Sequence, residues 1–284
     1  AVAVAHAVEP RQVGGALHLR LRTKTRPGTV DKFVQLQDGH DAVYLRHVLT
    51  GFRGRMNPGH HATLRFPDHE GSGLLSCSPF VHGQVFPEPT EDPAAGGYSI
   101  LEPGAVFDDL RAVRTITGAS ADLSRYPARR GFEDIAILVA DPDLDVAWTA
   151  VSFPAEGYVW FALKDPSVLA STLLWMSNGG RHYPPWNGRH VNVMGLEEVT
   201  AFFHLGLHES VTKNALNAAG HKTWLRFSPK TPTTINYIMA CVPAPAGFDR
   251  VADLTPADDG QTVTLTSASN RRLTVALDVA FLRG

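Results

Sequence analysis

Apolar and polar residues alternate in short runs along most of this chain, which is the period of a half-buried β-strand. The segment Leu17-His18-Leu19-Arg20-Leu21-Arg22 alternates strictly. So does Thr262-Val263-Thr264-Leu265-Thr266, and Leu273-Thr274-Val275-Ala276-Leu277 follows it across Ser267-Ala268-Ser269-Asn270. That intervening tetrapeptide is turn chemistry, so the two runs predict a C-terminal hairpin. Further strands are predicted at 33–36, 42–48, 135–139, 146–153, 158–163, 171–176 and 235–242. Val2, Val4 and Val8 share one parity and predict a strand over 1–8, and Gly14-Gly15 reads as a plain turn.

Helical periodicity is scarce. One helix is predicted over 211–219, with Ser210 as its cap and Gly220 as its stop. The stretch 86–105 is rich in Pro and Gly and carries no period, so it predicts a long surface loop of the kind that often serves binding. No internal repeat and no linker interrupts the pattern. The expected architecture is all-β: one large antiparallel β-sandwich, a single domain over 1–284.

Composition narrows the function classes. With 284 residues, 25 Gly and 20 Pro, the chain has length for a large core and residues for many turns. A net charge of −2 supplies no basic field for nucleic acid or an anionic membrane, so neither is an expected partner. No apolar run approaches the ~20 residues that span a bilayer. Residues 1–8 lack a basic leader and are interrupted by His6, so they read as strand rather than signal peptide. The chain begins without Met, which points to processing or to missing upstream residues. Cys77 and Cys241 show no zinc-type spacing and predict two buried free thiols and a cytoplasmic location.

Three constellations carry candidate chemistry. His60-His61 follows the turn Asn57-Pro58-Gly59, and on a strand the two imidazoles face opposite sides. Far downstream, Glu197-Glu198 sits among Val193, Met194, Leu196, Val199 and Phe202, and again only one of the pair can enter a cleft. Apolar neighbours favour a partly buried Glu197, whose raised pKa would suit proton transfer near neutrality. The third constellation, 175–190, holds Trp175, Asn178, Arg181, His182, Tyr183, Trp186, Arg189 and His190. Aromatic faces pack on the C–H surface of a sugar, and amide, guanidinium and imidazole groups satisfy its hydroxyls. Arg181 or Arg189 could instead read a phosphate or carboxylate. Against these stand plainer readings: histidines at a strand mouth, solvated carboxylates, and aromatics that plug the end of the sandwich. A weaker rival is a metal site on His204 and His208 with Glu209, which would require helix across both histidines.

The run Gly59-His60-His61-Ala62-Thr63-Leu64 resembles a Gly-His-His-Pro-Ala-Phe-Gly-type segment in one branch of the galactose mutarotase-like superfamily, the aldose 1-epimerases and their relatives, with Ala62 in place of the proline. Leu196-Glu197 resembles the strand that carries that family's base. The resemblance implies a β-supersandwich with a sugar cleft on its concave face. It also implies a histidine, His60 or His61, that donates a proton to the ring oxygen, and a base, Glu197, that takes one from the anomeric hydroxyl. No cofactor and no metal are expected; the expected ligand is a small-molecule carbohydrate. The family's earlier sugar-binding histidine has no match, so either it is lost or the chain lacks an N-terminal part of the family fold. The competing expectation is a non-catalytic carbohydrate-binding or sensing protein on the same fold. A lyase or hydrolase would need another acid or a tyrosine, for which Tyr183 is the candidate.

Overall fold

Nearly all of the chain's order is antiparallel β-structure, and the strands assemble into stacked sheets. The computed structural model describes residues 6–13, as backbone, and 15–284. Val2 and Val4 of the expected first strand, and Gly14 of the expected turn, lie outside the described residues. A nine-stranded sheet runs in the order His6–Val13, Ala16–Thr23, Gly28–Gln35, Ala42–Thr50, Thr233–Pro243, Tyr158–Lys164, Ala147–Phe153, Gly73–Cys77 and Arg125–Tyr126. Facing it is a six-stranded sheet in the order Gly59–Arg65, Val193–Val199, Ser171–Asn178, Phe132–Ala140, Phe80–Val85 and Val106–Phe107. A three-stranded sheet, Val251–Pro256, Thr262–Ser267 and Arg272–Ala276, is built around the C-terminal hairpin.

Strand periodicity divides the apolar residues among three interfaces. Between the two large sheets lie Leu45, Val151, Phe153 and Tyr237 from one side and Ala136, Leu138, Leu174, Met194 and Leu196 from the other. The opposite face of the nine-stranded sheet presents Trp148, Ala150, Phe161, Leu163 and Ile238, and Val263, Leu265 and Val275 of the three-stranded sheet join them in one cluster. The outer face of the six-stranded sheet carries Ile135, Ile137, Leu173 and Val199, roofed by Phe86, Phe202, Phe203 and Leu216. Strands buried on both faces read as continuous apolar runs, which is why Ile135-Ala136-Ile137-Leu138-Val139 shows no alternation.

Several expectations are corrected. The predicted 211–219 helix is two short pieces, Leu207–Val211 and Ala215–Ala218. Asn214 breaks it: its side chain accepts from the Asn217 N–H, completing a reciprocal capping box, and donates to the Glu209 carbonyl. Ser210 lies inside the first helix, where its hydroxyl accepts from the Phe202 N–H and donates to the Gly206 carbonyl. Both thiols are free, but neither is fully buried: Cys77 is half-buried and Cys241 is exposed. Strand alternation turns Ala240 and Val242 toward the three-stranded sheet and leaves Cys241 on the other face.

Candidate functional site on the outer face of the six-stranded sheet

The site begins with register. Gly59–Arg65 and Val193–Val199 are antiparallel neighbours in which His61 lies opposite Glu197 and His60 opposite Glu198. One residue of offset sends each pair to a different face. His61 and Glu197 point outward, and His61 Nε2 is 3.1 Å from Glu197 Oε1. Thr63, two residues along the same face, hydrogen-bonds His61 Nδ1 at 3.0 Å. His61 is half exposed, whereas only 14% of the Glu197 side chain is exposed. Burial pushes the Glu197 carboxyl up to about 7. Gly195 keeps the space beside it open: a Cβ there would lie 3.1 Å from Glu197 Oε1 and 3.2 Å from Trp175 Cβ.

His60 and Glu198 face the interior. The His60 ring stacks on Tyr237 at 4.3 Å and meets His47 edge-on at 4.8 Å. Burial, with His47 and Lys32 nearby, drives its pKa down to about 3, so it is neutral at any physiological pH. Glu198 forms a buried ion pair with Lys164, and the hydroxyls of Thr149 and Thr172 donate to its two oxygens at 2.8 and 2.7 Å.

Trp175, on the strand beside Glu197, joins the His61 pair to the loop that follows. Its indole meets His61 edge-on at 5.9 Å and stacks on His190 at 5.4 Å. Trp186 packs its edge on His190 at 5.2 Å. The Arg181 guanidinium lies over both indoles, 5.7 Å from the Trp175 ring and 5.2 Å from the Trp186 ring. Trp175, Arg181, Trp186 and His190 are therefore assembled around one place.

Three of the other four residues singled out in that segment stand apart. Asn178 is buried as scaffold: its amide donates to the Ala128 carbonyl, and its oxygen accepts from the Asn192 N–H. His182 is exposed and edge-on to Tyr98 at 5.5 Å. Arg189 is exposed on the loop, where its backbone N–H closes a turn to the Trp186 carbonyl.

Beneath the aromatics lies a carboxylate network that the sequence reading missed. Glu133, 1% exposed, accepts from Trp175 Nε1 at 2.8 Å and from the Ser177 hydroxyl at 3.0 Å, and lies 3.5 Å from Arg181 Nη1. Burial raises its pKa, and Arg181, Ser177 and Trp175 oppose that rise. Glu91, from the long 86–105 connection, accepts from Arg181 Nε at 2.6 Å and from the Tyr183 hydroxyl at 2.9 Å. The connection is pinned beside the site by two further bonds. The Tyr98 N–H donates to the Gly180 carbonyl, and the Glu133 N–H donates to the Tyr98 carbonyl. The available signal for Glu133 was an acid pair opening an apolar run, Phe132-Glu133-Asp134-Ile135. Glu91 had no comparable signal, because only the fold brings it to Arg181.

His204 lies in a turn ahead of the Leu207–Val211 helix, so His204 and His208 do not share a helical face. No cluster of three metal-ligating side chains occurs among the described residues.

No protein-family model matches the sequence, and comparison with curated proteins finds no match. Solved structures do match. A galactose mutarotase related enzyme from Lactobacillus acidophilus superposes with a TM-score of 0.51 over 84% of this chain and 72% of its own, at 9% identity. A candidate aldose 1-epimerase from Escherichia coli K12 superposes with a TM-score of 0.53 over 84% of this chain and 69% of its own, at 12% identity. The fold is galactose mutarotase-like. At these identities the likeness establishes architecture alone, and the chemistry has to be argued from the side chains. No helix among the described residues is long and apolar enough to cross a membrane.

Proposed function

We propose that this galactose mutarotase-like protein binds a small carbohydrate on the outer face of the six-stranded sheet and interconverts its anomers, with His61 as proton donor and Glu197 as base. The observation that carries this reading is the 3.1 Å contact between His61 Nε2 and Glu197 Oε1 beside the Trp175 indole. The ring oxygen and the hydroxyl of an anomeric centre share one carbon, so an acid and a base serving them must stand within a few ångströms of each other. A carboxyl at about 7 is poised to give and take a proton near neutrality. His60, turned to the interior and held neutral, offers no proton to a ligand on this face.

In the forward half-reaction His61 protonates the ring oxygen, the C1–O5 bond breaks, and Glu197 takes the C1 hydroxyl proton as the aldehyde forms. Rotation about C1–C2 and the reverse transfers close the other anomer. The step is redox-neutral and requires no cofactor. Trp175 and Trp186, each partly exposed beside Arg181 and His190, would supply apolar indole surface to the sugar ring.

Exchange between anomers, followed by NMR or polarimetry over a panel of free and phosphorylated aldoses, tests the proposal. Glu197→Gln should lower the rate by about 10²–10⁴ while leaving sugar binding largely intact. His61→Asn should lower turnover strongly, whereas His60→Asn should act on stability. Unchanged turnover in Glu197→Gln would overturn the assignment of the base. Tight sugar binding with no interconversion by the unmutated protein would favour a sensing role.

A further inference from the structure

One group at the site makes a hydrogen-bonded chain that acid–base exchange at His61 and Glu197 does not use. Ser177 Oγ lies between two partners, Glu133 Oε2 at 3.0 Å and His190 Nδ1 at 2.6 Å. A serine hydroxyl has one hydrogen to give. Glu133 is the stronger claimant. It is a carboxylate whose other oxygen already accepts from Trp175 Nε1 and faces Arg181, so both of its oxygens act as acceptors. Ser177 therefore donates to Glu133, and its oxygen accepts from His190. That assigns the imidazole hydrogen to Nδ1.

The remaining nitrogen has a defined role as a result. Burial and the positive charge of Arg181 lower the His190 pKa and so favour the neutral ring. A neutral imidazole with hydrogen on Nδ1 carries a lone pair on Nε2. The ring is clamped flat against Trp175 at an interplanar angle of 17° and braced by Trp186. Among the described residues no protein group hydrogen-bonds Nε2.

We propose that His190 is a fixed hydrogen-bond acceptor for a hydroxyl of the ligand that stacks on the indoles, and that Ser177 and Glu133 are the positioning residues that set its tautomer. The complementary ligand is a polyol, which brings a donor O–H to Nε2 while its C–H face lies on the aromatic rings. This deepens the carbohydrate reading above and rests on it for the ligand class, but the tautomer can be measured with no sugar present.

The test is long-range ¹H–¹⁵N NMR of the histidine side chains in the full-length protein. Free neutral imidazole favours hydrogen on Nε2, so the expected wild-type pattern for His190, hydrogen on Nδ1 and a bare Nε2, is distinctive. Ser177→Ala should move His190 toward the ordinary Nε2–H form without moving His61. Titration with galactose and with glucose should shift the His190 Nε2 resonance in the wild type. His190→Ala should weaken that binding by roughly three- to tenfold, the value of one hydrogen bond. An Nε2–H pattern for His190 in the wild type overturns the inference outright, even if Ser177→Ala fails to fold. So does a His190 resonance that neither sugar moves. The two readings fail separately: anomer exchange with the wrong tautomer removes this inference alone, and the right tautomer with sugar-induced shifts but no exchange removes only the epimerase assignment.

Discussion

At the scale of single residues, this protein separates two histidines and two glutamates that adjoin in sequence. His61 and Glu197 form an outward pair 3.1 Å apart; half-buried His60 and buried Glu198 point between the sheets. The pH behaviour of Glu197 follows from the direction of its shift. The base must be ionised while the donor keeps its proton, so kcat/KM should be bell-shaped between pH 5 and 9, read as the rate of anomer exchange, with Glu197 setting an acid limb that rises through about 7. Stability moves the other way. The folded-state value lies above the ordinary carboxylate value, so the native state holds more protons than the unfolded chain between about 4.5 and 7. The stability this provides is present below that window and lost as pH rises through it. Urea unfolding at pH 5 and pH 8 should show the wild type losing stability across the window and Glu197→Gln losing less. An equal loss in both would mean that Glu197 titrates as an ordinary surface carboxylate.

At the scale of elements, two contacts hold the site strands in place. The first is the Lys164–Glu198 pair, which ties the nine-stranded sheet to the strand that carries Glu197. Removing one partner strands a buried charge, so Glu198→Ala should cost about 3–5 kcal/mol in urea unfolding. Replacing both, as in Lys164→Met with Glu198→Leu, should recover most of that loss. The second is the close approach at Gly180. A Cβ there would lie 2.4 Å from the Glu133 N and 2.7 Å from the Tyr98 O, both backbone atoms. Gly180→Ala should push the long 86–105 connection off the sheet and weaken the Arg181–Glu91 ion pair. The expected readouts are faster amide exchange at Tyr98 and Glu133 and weaker sugar binding, with the core sheets intact.

At the scale of the whole molecule, the site and the C-terminal sheet lie on opposite sides of the sandwich. Val263, Leu265 and Val275 are buried with Trp148, Phe161, Leu163 and Ile238, away from Trp175 and Glu197. Leu265→Ala should therefore cost about 2–5 kcal/mol by opening a cavity in a filled interface. Below the melting transition its exchange kinetics should match those of the wild type. A change in KM or kcat with no change in stability would reveal a coupling across the sheets that these contacts do not provide.

Local chemistry along the chain determined much of this architecture, because alternation is a property of each strand by itself. The runs at 42–48, 146–153, 158–163, 171–176 and 235–242 correspond to strands, and Ser267–Asn270 turns the C-terminal hairpin. The opposite facing of His60 and His61, and of Glu197 and Glu198, also follows from the two-residue period. Which of each pair faces solvent does not, because that depends on where the second sheet packs. The helix at 211–219 failed for a local reason that periodicity does not register: Asn214 satisfies the backbone better as a cap than as an interior residue. The aromatic segment after Trp175 was legible as a mixture suited to sugars. Asn178 nonetheless serves the scaffold and Glu133 and Glu91 serve the site, because hydrogen-bond partners 42 and 90 residues apart in sequence meet only when the sheets close. Strand pairing is a long-range choice made by the burial of whole faces, and it was that choice, not any local signal, that set His61 against Glu197 and joined Ser177 and His190 to Glu133.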